Sequence, residues 1–324
     1  MALDAALGTV SAGERAAPLV TVGIPTYNRP SELGRAARSV LAQDHAPIEL
    51  LISDNASTDP DVRRVGGQLA AEYPQVRFVS HERNRGHEFN FQWLLDSARG
   101  DYFMWLSDDD WLDPAYVSRC VAELRADPDT VLVCGGGRYH RDGHHVLDER
   151  PIELTDRHPA ARLVRYFARV SLNGPVFGVA ARDDLLPIGF PPVIGGDWML
   201  VAALAAKGRV RTLPDVHIHR SMSGLGSDAA RLADDFGLQG LLARQSHAFV
   251  AASIARQIAA GAPPYRRMGH ATRLVVATAA AGLILTRFSA ADAVRRLLGP
   301  ARASALERRI SRWLRARDAR GGAI

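Results

Sequence analysis

The chain has 324 residues, 47% hydrophobic and 23% charged, enough for one substantial core and a smaller appendage in one or two domains. Two cysteines, Cys120 and Cys134, exclude a disulfide framework and lack metal-type spacing, so both read as small buried apolar residues of a reducing compartment. The net charge of +5 is uneven: thirteen arginines against three acids give residues 265–324 a net of +10 and leave −5 for the rest. With no helix-turn-helix, zinc-finger or RNA-recognition pattern, that excludes a nucleic-acid binder.

Residues 1–18 carry Asp4 and Glu14 without a basic start or a long apolar run, and read as a flexible lead-in rather than a signal peptide. From there to about residue 200, short β-rich runs alternate with helical stretches. Strands are expected at 19–24, 48–52, 76–79, 102–106 and 130–134, and helices at 31–42, 61–72, 88–98 and 114–126. Pro30 before Ser31, and Asp59 before Pro60, are helix start signals. The alternation predicts an α/β fold with a mostly parallel central sheet.

Beyond Cys134 the pattern loosens. Asp142-Gly143 is a two-residue hairpin turn between short runs, followed by a helix at 159–170, a strand at 176–180 and a helix opening at Asp197. A soft boundary near Gly226 separates a catalytic domain, 19–226, from an Arg-rich helical region, 227–324, with breaks at 261–264 and Gly299-Pro300. The longest apolar run of that region, 274–286, is too short to span a bilayer. The expected location is therefore cytoplasmic. Residues 274–285 with Phe288 would pack on the catalytic domain or form an oligomer interface. The segment 295–320 would lie on an anionic membrane or remain a solvated helix.

In open α/β sheets ligands bind beyond the carboxyl ends of the strands. Here four polar clusters follow four strands: Thr26-Tyr27-Asn28-Arg29, Ser53-Asp54-Asn55, Asn84-Arg85-Gly86 and Ser107-Asp108-Asp109-Asp110. Three consecutive carboxylates repel one another unless a cation sits among them. Oxygen-only ligation suits Mg²⁺ or Mn²⁺, which bridge to a substrate's phosphates. The competing reading is a solvated turn capping the helix near Pro114.

The run Val20-Thr21-Val22-Gly23-Ile24-Pro25-Thr26-Tyr27-Asn28-Arg29 resembles the opening of family-2 glycosyltransferases of the GT-A fold. Ile52-Ser53-Asp54-Asn55-Ala56-Ser57-Thr58-Asp59, Asn84-Arg85-Gly86, Gly100-Asp101-Tyr102, Leu106-Ser107-Asp108-Asp109-Asp110 and Pro114 follow in the family's order. The resemblance covers about 19–223. It implies an inverting, metal-dependent transfer of sugar from a nucleoside diphosphate donor to an acceptor hydroxyl, with a lipid-linked glycan among the candidate acceptors. Pro25, Tyr27 and Asp54 would line the nucleobase and ribose pocket, with Arg85 beside it. Asp108 or Asp109 would lie nearer the ribose, and Asp110 would be the direct metal ligand. Ser107 stands where the family often has Asp.

Asp197, after Gly195-Gly196 and before Trp198, reads from the bare sequence as a helix N-cap. The family's second-half motif is an acidic pair whose Asp is the catalytic base. Gly196 replaces the first acid here, while Asp197 and Trp198 match. Pro214-Asp215-Val216-His217-Ile218-His219-Arg220-Ser221 resembles the family's strand ending in a His, which implies that His219 meets the metal or the diphosphate. Alternation puts His217 on the same face, and Arg220 could pair with phosphate.

His140, His144 and His145 around the hairpin read as exposed rather than as a zinc site. Gly135-Gly136-Gly137 lacks the dinucleotide pattern, and no phosphate-binding Gly-Lys-Ser/Thr occurs. Asn55-Ala56-Ser57 is formally a glycosylation sequon, but it lies inside a motif of a non-secreted chain. Trp93 and Trp105 read as core; Trp111 and Trp198 as apolar walls for a sugar, or as core. Two other functions remain open. A sugar-phosphate nucleotidyltransferase would need a Gly-rich basic loop where Pro25-Thr26-Tyr27-Asn28 stands. An inactive nucleotide-sugar-binding relative would account for Ser107 and Gly196.

Overall fold

The structure is a computed structural model that describes residues 17–222 and 246–298. Most of the lead-in, the boundary near Gly226 and the Arg-rich stretch beyond residue 298 lie outside the described residues.

The chain divides into two compact units, and the division does not follow chain order. Among the described residues, one unit comprises 17–151, 177–189 and 212–222; the other comprises 152–176, 190–211 and 246–298. The first is built on β1 (Val20–Thr26), α1 (Pro30–Leu41), β2 (Ile48–Asp54), α2 (Pro60–Glu72), β3 (Val76–Ser80), α3 (His87–Ser97) and β4 (Tyr102–Trp105). Then come β5 (Trp111–Leu112), α4 (Tyr116–Ala126), β6 (Thr130–Arg141), β7 (His144–Asp148), β8 (Val179–Ala181), α6 (Arg182–Leu185) and the main run of β9 (Arg209–Ser221). The sheet order is β3-β2-β1-β4-β8-β6-β9-β5, with β7 paired to β6.

The parallel part is confined to β3, β2, β1 and β4. Pairing turns antiparallel at β4–β8 and stays so through β6–β8, β6–β7 and β5–β9, so the sheet is more mixed than the alternation implied. Val20, Val22, Ile24 and Leu50–Ile52 are fully buried, as befits central strands covered on both faces. The amphipathic α1 covers them with Leu33, Ala36, Ala37 and Val40, all buried.

The start signals act as expected. Pro30 and Pro60 open their helices, and the Asp59 side chain accepts from the Asp61 N–H at 2.9 Å. Asp142 (φ 51°) and Gly143 (φ 77°) make the predicted hairpin turn. Two expectations shift. The run from 130 continues as one twelve-residue strand to Arg141, and the strand expected at 176–180 begins with a 3₁₀ turn, Gly174–Phe177, before β8. Cys120 and Cys134 are buried free thiols. Trp105 is in the core, whereas Trp93 is half-buried with its ring edge-on to His81.

The second unit contains α5 (Pro159–Arg169), α7 (Gly196–Lys207), α8 (Ser246–Ala260) and α9 (His270–Leu298). The helix α7 is apolar all round and buried along most of its length. Among the described residues, no helix is long and apolar enough to cross a membrane.

Candidate active site

The C-terminal ends of β1, β2 and β4 gather the polar clusters, and short side chains tie them together. Thr26 Oγ1 donates to Asp108 Oδ2 at 2.8 Å, joining the end of β1 to the triplet after β4. Asn28 holds a left-handed conformation (φ 57°), and its Oδ1 accepts from the N–H groups of Thr58 and Asp59 at 2.8 and 3.0 Å. Asn55 Nδ2 donates to Asn84 Oδ1 and Gly86 O, and Asn55 Oδ1 accepts from the Arg85 N–H. The loops after β1, β2 and β3 are thus fixed by asparagine side chains that satisfy backbone groups.

Asp54 is fully buried; Oδ1 accepts from the Ser57 N–H and Oδ2 from the Ser80 hydroxyl, at 2.9 and 2.7 Å. Pro25 is half-buried and Tyr27 is 42% exposed. Arg85 lies over the Phe89 ring, 3.6 Å from its centroid, and with His81, Glu82 and Arg83 lines a cleft of about 450 Å³. His81 is also held by Ser53 Oγ at 2.8 Å, and burial, aided by the charge of Arg85, lowers its pKa. Asn90 locks Ser53 through its hydroxyl and its carbonyl.

The triplet is nearly buried, Asp108, Asp109 and Asp110 being 6%, 6% and 2% exposed, so the solvated-turn reading fails. Each carboxylate meets an arginine. Arg29 Nη1 donates to Asp108 Oδ1 at 3.2 Å and to Asp109 Oδ2 at 3.0 Å. Arg220 Nε donates to Asp110 Oδ2 at 3.3 Å, and the Ser221 N–H donates to Asp110 Oδ1 at 3.0 Å. Arg220 also donates to the Tyr139 hydroxyl at 2.5 Å and lies against the Phe177 ring.

Burial raises Asp108 to about 6, against the pull of Arg29 and with Asp109 adding to the rise. It raises Asp110 to about 7, again against its arginine. Arg220 itself stays charged: burial works to lower its pKa, and Tyr139, Asp110 and Glu149 outweigh it. The donor set fits a hard divalent cation, because the triplet is oxygen-only and its buried anions are undercompensated. Among the described residues, no three acidic, imidazole or thiol groups converge on one point. A cation here would therefore take one or two carboxylates and complete its shell with phosphate and water.

The histidines are arranged differently from expectation. His217 and His219 do share a strand face, but both turn to Asp113, a residue that no sequence motif singles out. His217 Nδ1 and His219 Nε2 lie 3.0 and 2.9 Å from its two oxygens. Asp113 accepts from both nitrogens, and His219 Nδ1 lies 3.0 Å from His140 Nε2. Those hydrogen bonds outweigh burial and hold Asp113 below the usual carboxylate range.

Both ring nitrogens of His219 are thereby engaged, Nε2 with Asp113 and Nδ1 with His140. His140, expected to be exposed, is half-buried in the same cluster, whereas His144 and His145 are exposed. Trp111 stacks on His219 with 5.1 Å between centroids, and Arg35 lies 4.2 Å from its ring centre, so its ring is packed among side chains.

Asp197 belongs to the second unit, and the capping expectation fails there. Gly195 takes the N-cap position of α7 in a left-handed conformation (φ 78°) that glycine adopts without strain, and no side chain caps the helix. Asp197 sits in the first turn, half-buried, and its Oδ2 accepts from Asn173 Nδ2 at 2.9 Å. Asn173 is held in turn by the Tyr166 hydroxyl at 2.8 Å. Trp198 beside it is half-buried.

Comparison with known proteins agrees with this architecture. The family model described as glycosyl transferase family 2 matches residues 21–174. The uncharacterized protein Rv1520 of Mycobacterium tuberculosis is 31% identical over 195 residues, 59% of this chain and 55% of that protein. Chondroitin synthase of Escherichia coli is 36% identical over 160 residues, 48% and 23% of the two chains. The match thus spans about half the length of the first relative and less of the second.

Among solved structures, TarS 1–349 of S. aureus superposes with a TM-score of 0.59 at 16% identity, over 82% of this chain and 72% of that one. The mannosyltransferase PcManGT of Pyrobaculum calidifontis, in complex with GDP-Man and Mn²⁺, gives 0.53 at 20% identity, over 92% and 80%. Over residues 21–174 the chain carries a domain of glycosyl transferase family 2, built on the GT-A fold.

Proposed function

We propose that this chain is an inverting glycosyltransferase that moves a sugar from a nucleoside diphosphate sugar to an acceptor hydroxyl, with Mg²⁺ or Mn²⁺ as cofactor. The observation that carries this reading is the nearly buried triplet Asp108, Asp109 and Asp110 at the carboxyl end of β4, two of whose members are raised by burial. Undercompensated carboxylates at a sheet's ligand-binding edge are costly to keep and suit a bound cation and its anionic ligand. The family match supports sugar transfer, and PcManGT, whose structure holds GDP-Man and Mn²⁺, supports the donor class and the metal. Chondroitin synthase among the relatives supports a place in polysaccharide or glycoconjugate synthesis.

Pro25, Tyr27, Asp54 and Arg85 are assigned to the nucleobase and ribose, Asp108 and Asp109 to the ribose side of the triplet, and Asp110 to the metal. A cation held there supplies positive charge against the negative charge that develops on the departing diphosphate. Arg29 and Arg220 offset the charge of the carboxylates, and each guanidinium also suits a phosphate oxygen. Asp197 is assigned as the base that takes the acceptor's proton during a single displacement from the face opposite the leaving group. Donation from Asn173 orients its carboxylate.

A thermal-shift panel of UDP, GDP and ADP, each with and without Mn²⁺, tests the assignment. One nucleotide is expected to stabilise the protein only with metal, and Asp110→Ala to abolish that stabilisation. No response to any nucleotide, with or without metal, would overturn the reading; full sugar transfer in EDTA would overturn the metal's part in it.

A further inference from the structure

The helix α9 is apolar on two opposite sides. Val276, Ala277, Ala280 and Ile284 form a buried stripe, and the helix packs against α8 and α5. On the other side Ala271, Leu274, Val275, Thr278, Gly282 and Leu285 recur at helical spacing and face outward, Val275 being 69% exposed, Leu274 46% and Leu285 40%. The outward side of a helix on a water-soluble surface ordinarily carries charge. Here none occurs between Arg273 and Arg287, and those two turn to the buried side. Arg273 would meet a Cβ placed on Gly261, and Arg287 Nη1 donates to the carbonyls of Phe167 and Val170 at 3.0 and 2.9 Å.

Three occupants could cover such a stripe, and the charge around it discriminates among them. Arg266 and Arg267 are exposed immediately before the helix, and residues 265–324 carry thirteen arginines against three acids. A second copy of this chain, related by a two-fold, would bring like charge, Arg266 and Arg267 of both copies, to one interface. A membrane-spanning role is excluded for the described helices. An uncharged apolar stripe flanked by arginine is the composition of a helix that lies in the plane of an anionic bilayer.

We propose that the outer face of α9 docks on an anionic lipid surface, with Leu274, Val275 and Leu285 entering the boundary between headgroups and acyl chains while Arg266 and Arg267 meet lipid phosphates. The inference is independent of sugar transfer, because it is read by lipid binding alone.

The test is co-sedimentation of the full chain with vesicles of phosphatidylcholine alone, or with about one third phosphatidylglycerol. It is repeated with a charge-neutral variant, Leu274→Ser with Val275→Ser and Leu285→Ser, shown to be folded by circular dichroism. The wild-type chain is expected to bind the anionic vesicles at least tenfold more tightly than the neutral ones, and the variant to lose at least tenfold of that affinity at unchanged net charge. Equal binding by wild type and variant would reduce the effect to arginine charge and overturn the docking face. Absence of binding to either vesicle would overturn it too. So would a concentration-dependent dimer, seen by analytical ultracentrifugation, that the triple substitution abolishes while vesicle binding is unaffected.

Discussion

Replacing Asp108 with asparagine separates what the acidic triplet costs the fold from what it does for a ligand. Asp108 is 6% exposed and its carboxyl is raised by burial from 3.8 to about 6, despite Arg29. The unfolded chain therefore releases this proton at lower pH than the folded one. Between those two values the folded state holds more protons, so stability falls as pH rises. The gap of about 2 units corresponds to about 3 kcal/mol, absent well below the unfolded value and fully present above the folded one.

Asparagine keeps the local geometry. Its Oδ1 still accepts from Arg29, and its amide donates to the Thr26 hydroxyl, which donates to Asp108 in the wild type. Arg29 retains Asp109 at 3.0 Å, so no charge is stranded. Urea unfolding in EDTA across the acid-to-neutral range, variant against wild type, reads the difference directly. Other carboxylates titrate in both proteins and cancel to first order. The variant is expected to gain about 3 kcal/mol on the wild type from the acid to the neutral end. Parallel stability profiles would refute the argument that burial governs this carboxyl.

Two other substitutions address the remaining roles. Asp197→Asn should leave nucleotide affinity near normal while lowering sugar transfer by about 10²- to 10⁴-fold, measured as kcat against the donor dissociation constant; an unchanged kcat would reduce Asp197 to a structural residue. Arg220→Met strips the buried Asp110 of its cation; because Asp110 is raised to about 7 even beside Arg220, the ionic part of the loss should be small near pH 5, where Asp110 is protonated, and grow to about 3 kcal/mol by pH 9 without metal. A loss that does not depend on pH would show that packing against Tyr139 and Phe177 is what Arg220 contributes.

Much of the first unit was legible in the sequence because its signals are local. Each parallel strand ends in a polar cluster, and strand period, proline and aspartate at helix starts, and an Asp-Gly turn are all read within a few residues. What escaped is held by partners far apart in the chain. Arg29 reaches Asp108 across 79 positions, Arg220 reaches Asp110 across 110, and Asp113 collects His217 and His219 across more than a hundred. Strand alternation did place His217 and His219 on one face. It says nothing about which carboxylate that face meets, and the structure supplies Asp113.

The Asp197 expectation failed for a related reason. Asp is a good helix cap in the absence of competition, but the preceding pair supplied a glycine able to take a positive φ, and Gly195 assumed the terminus instead. The Asp197 carboxylate meets Asn173. The same logic runs through the triplet. Carboxylates whose duty is structural, such as Asp59 on α2, cap a helix at the surface. Those at positions 108 and 110 are withdrawn from water at a cost the fold does not recover from their arginines, as their raised pKa values record. Selection retains such a cost where another process uses it. The variant that lowers the stability cost should therefore be the one that loses nucleotide affinity.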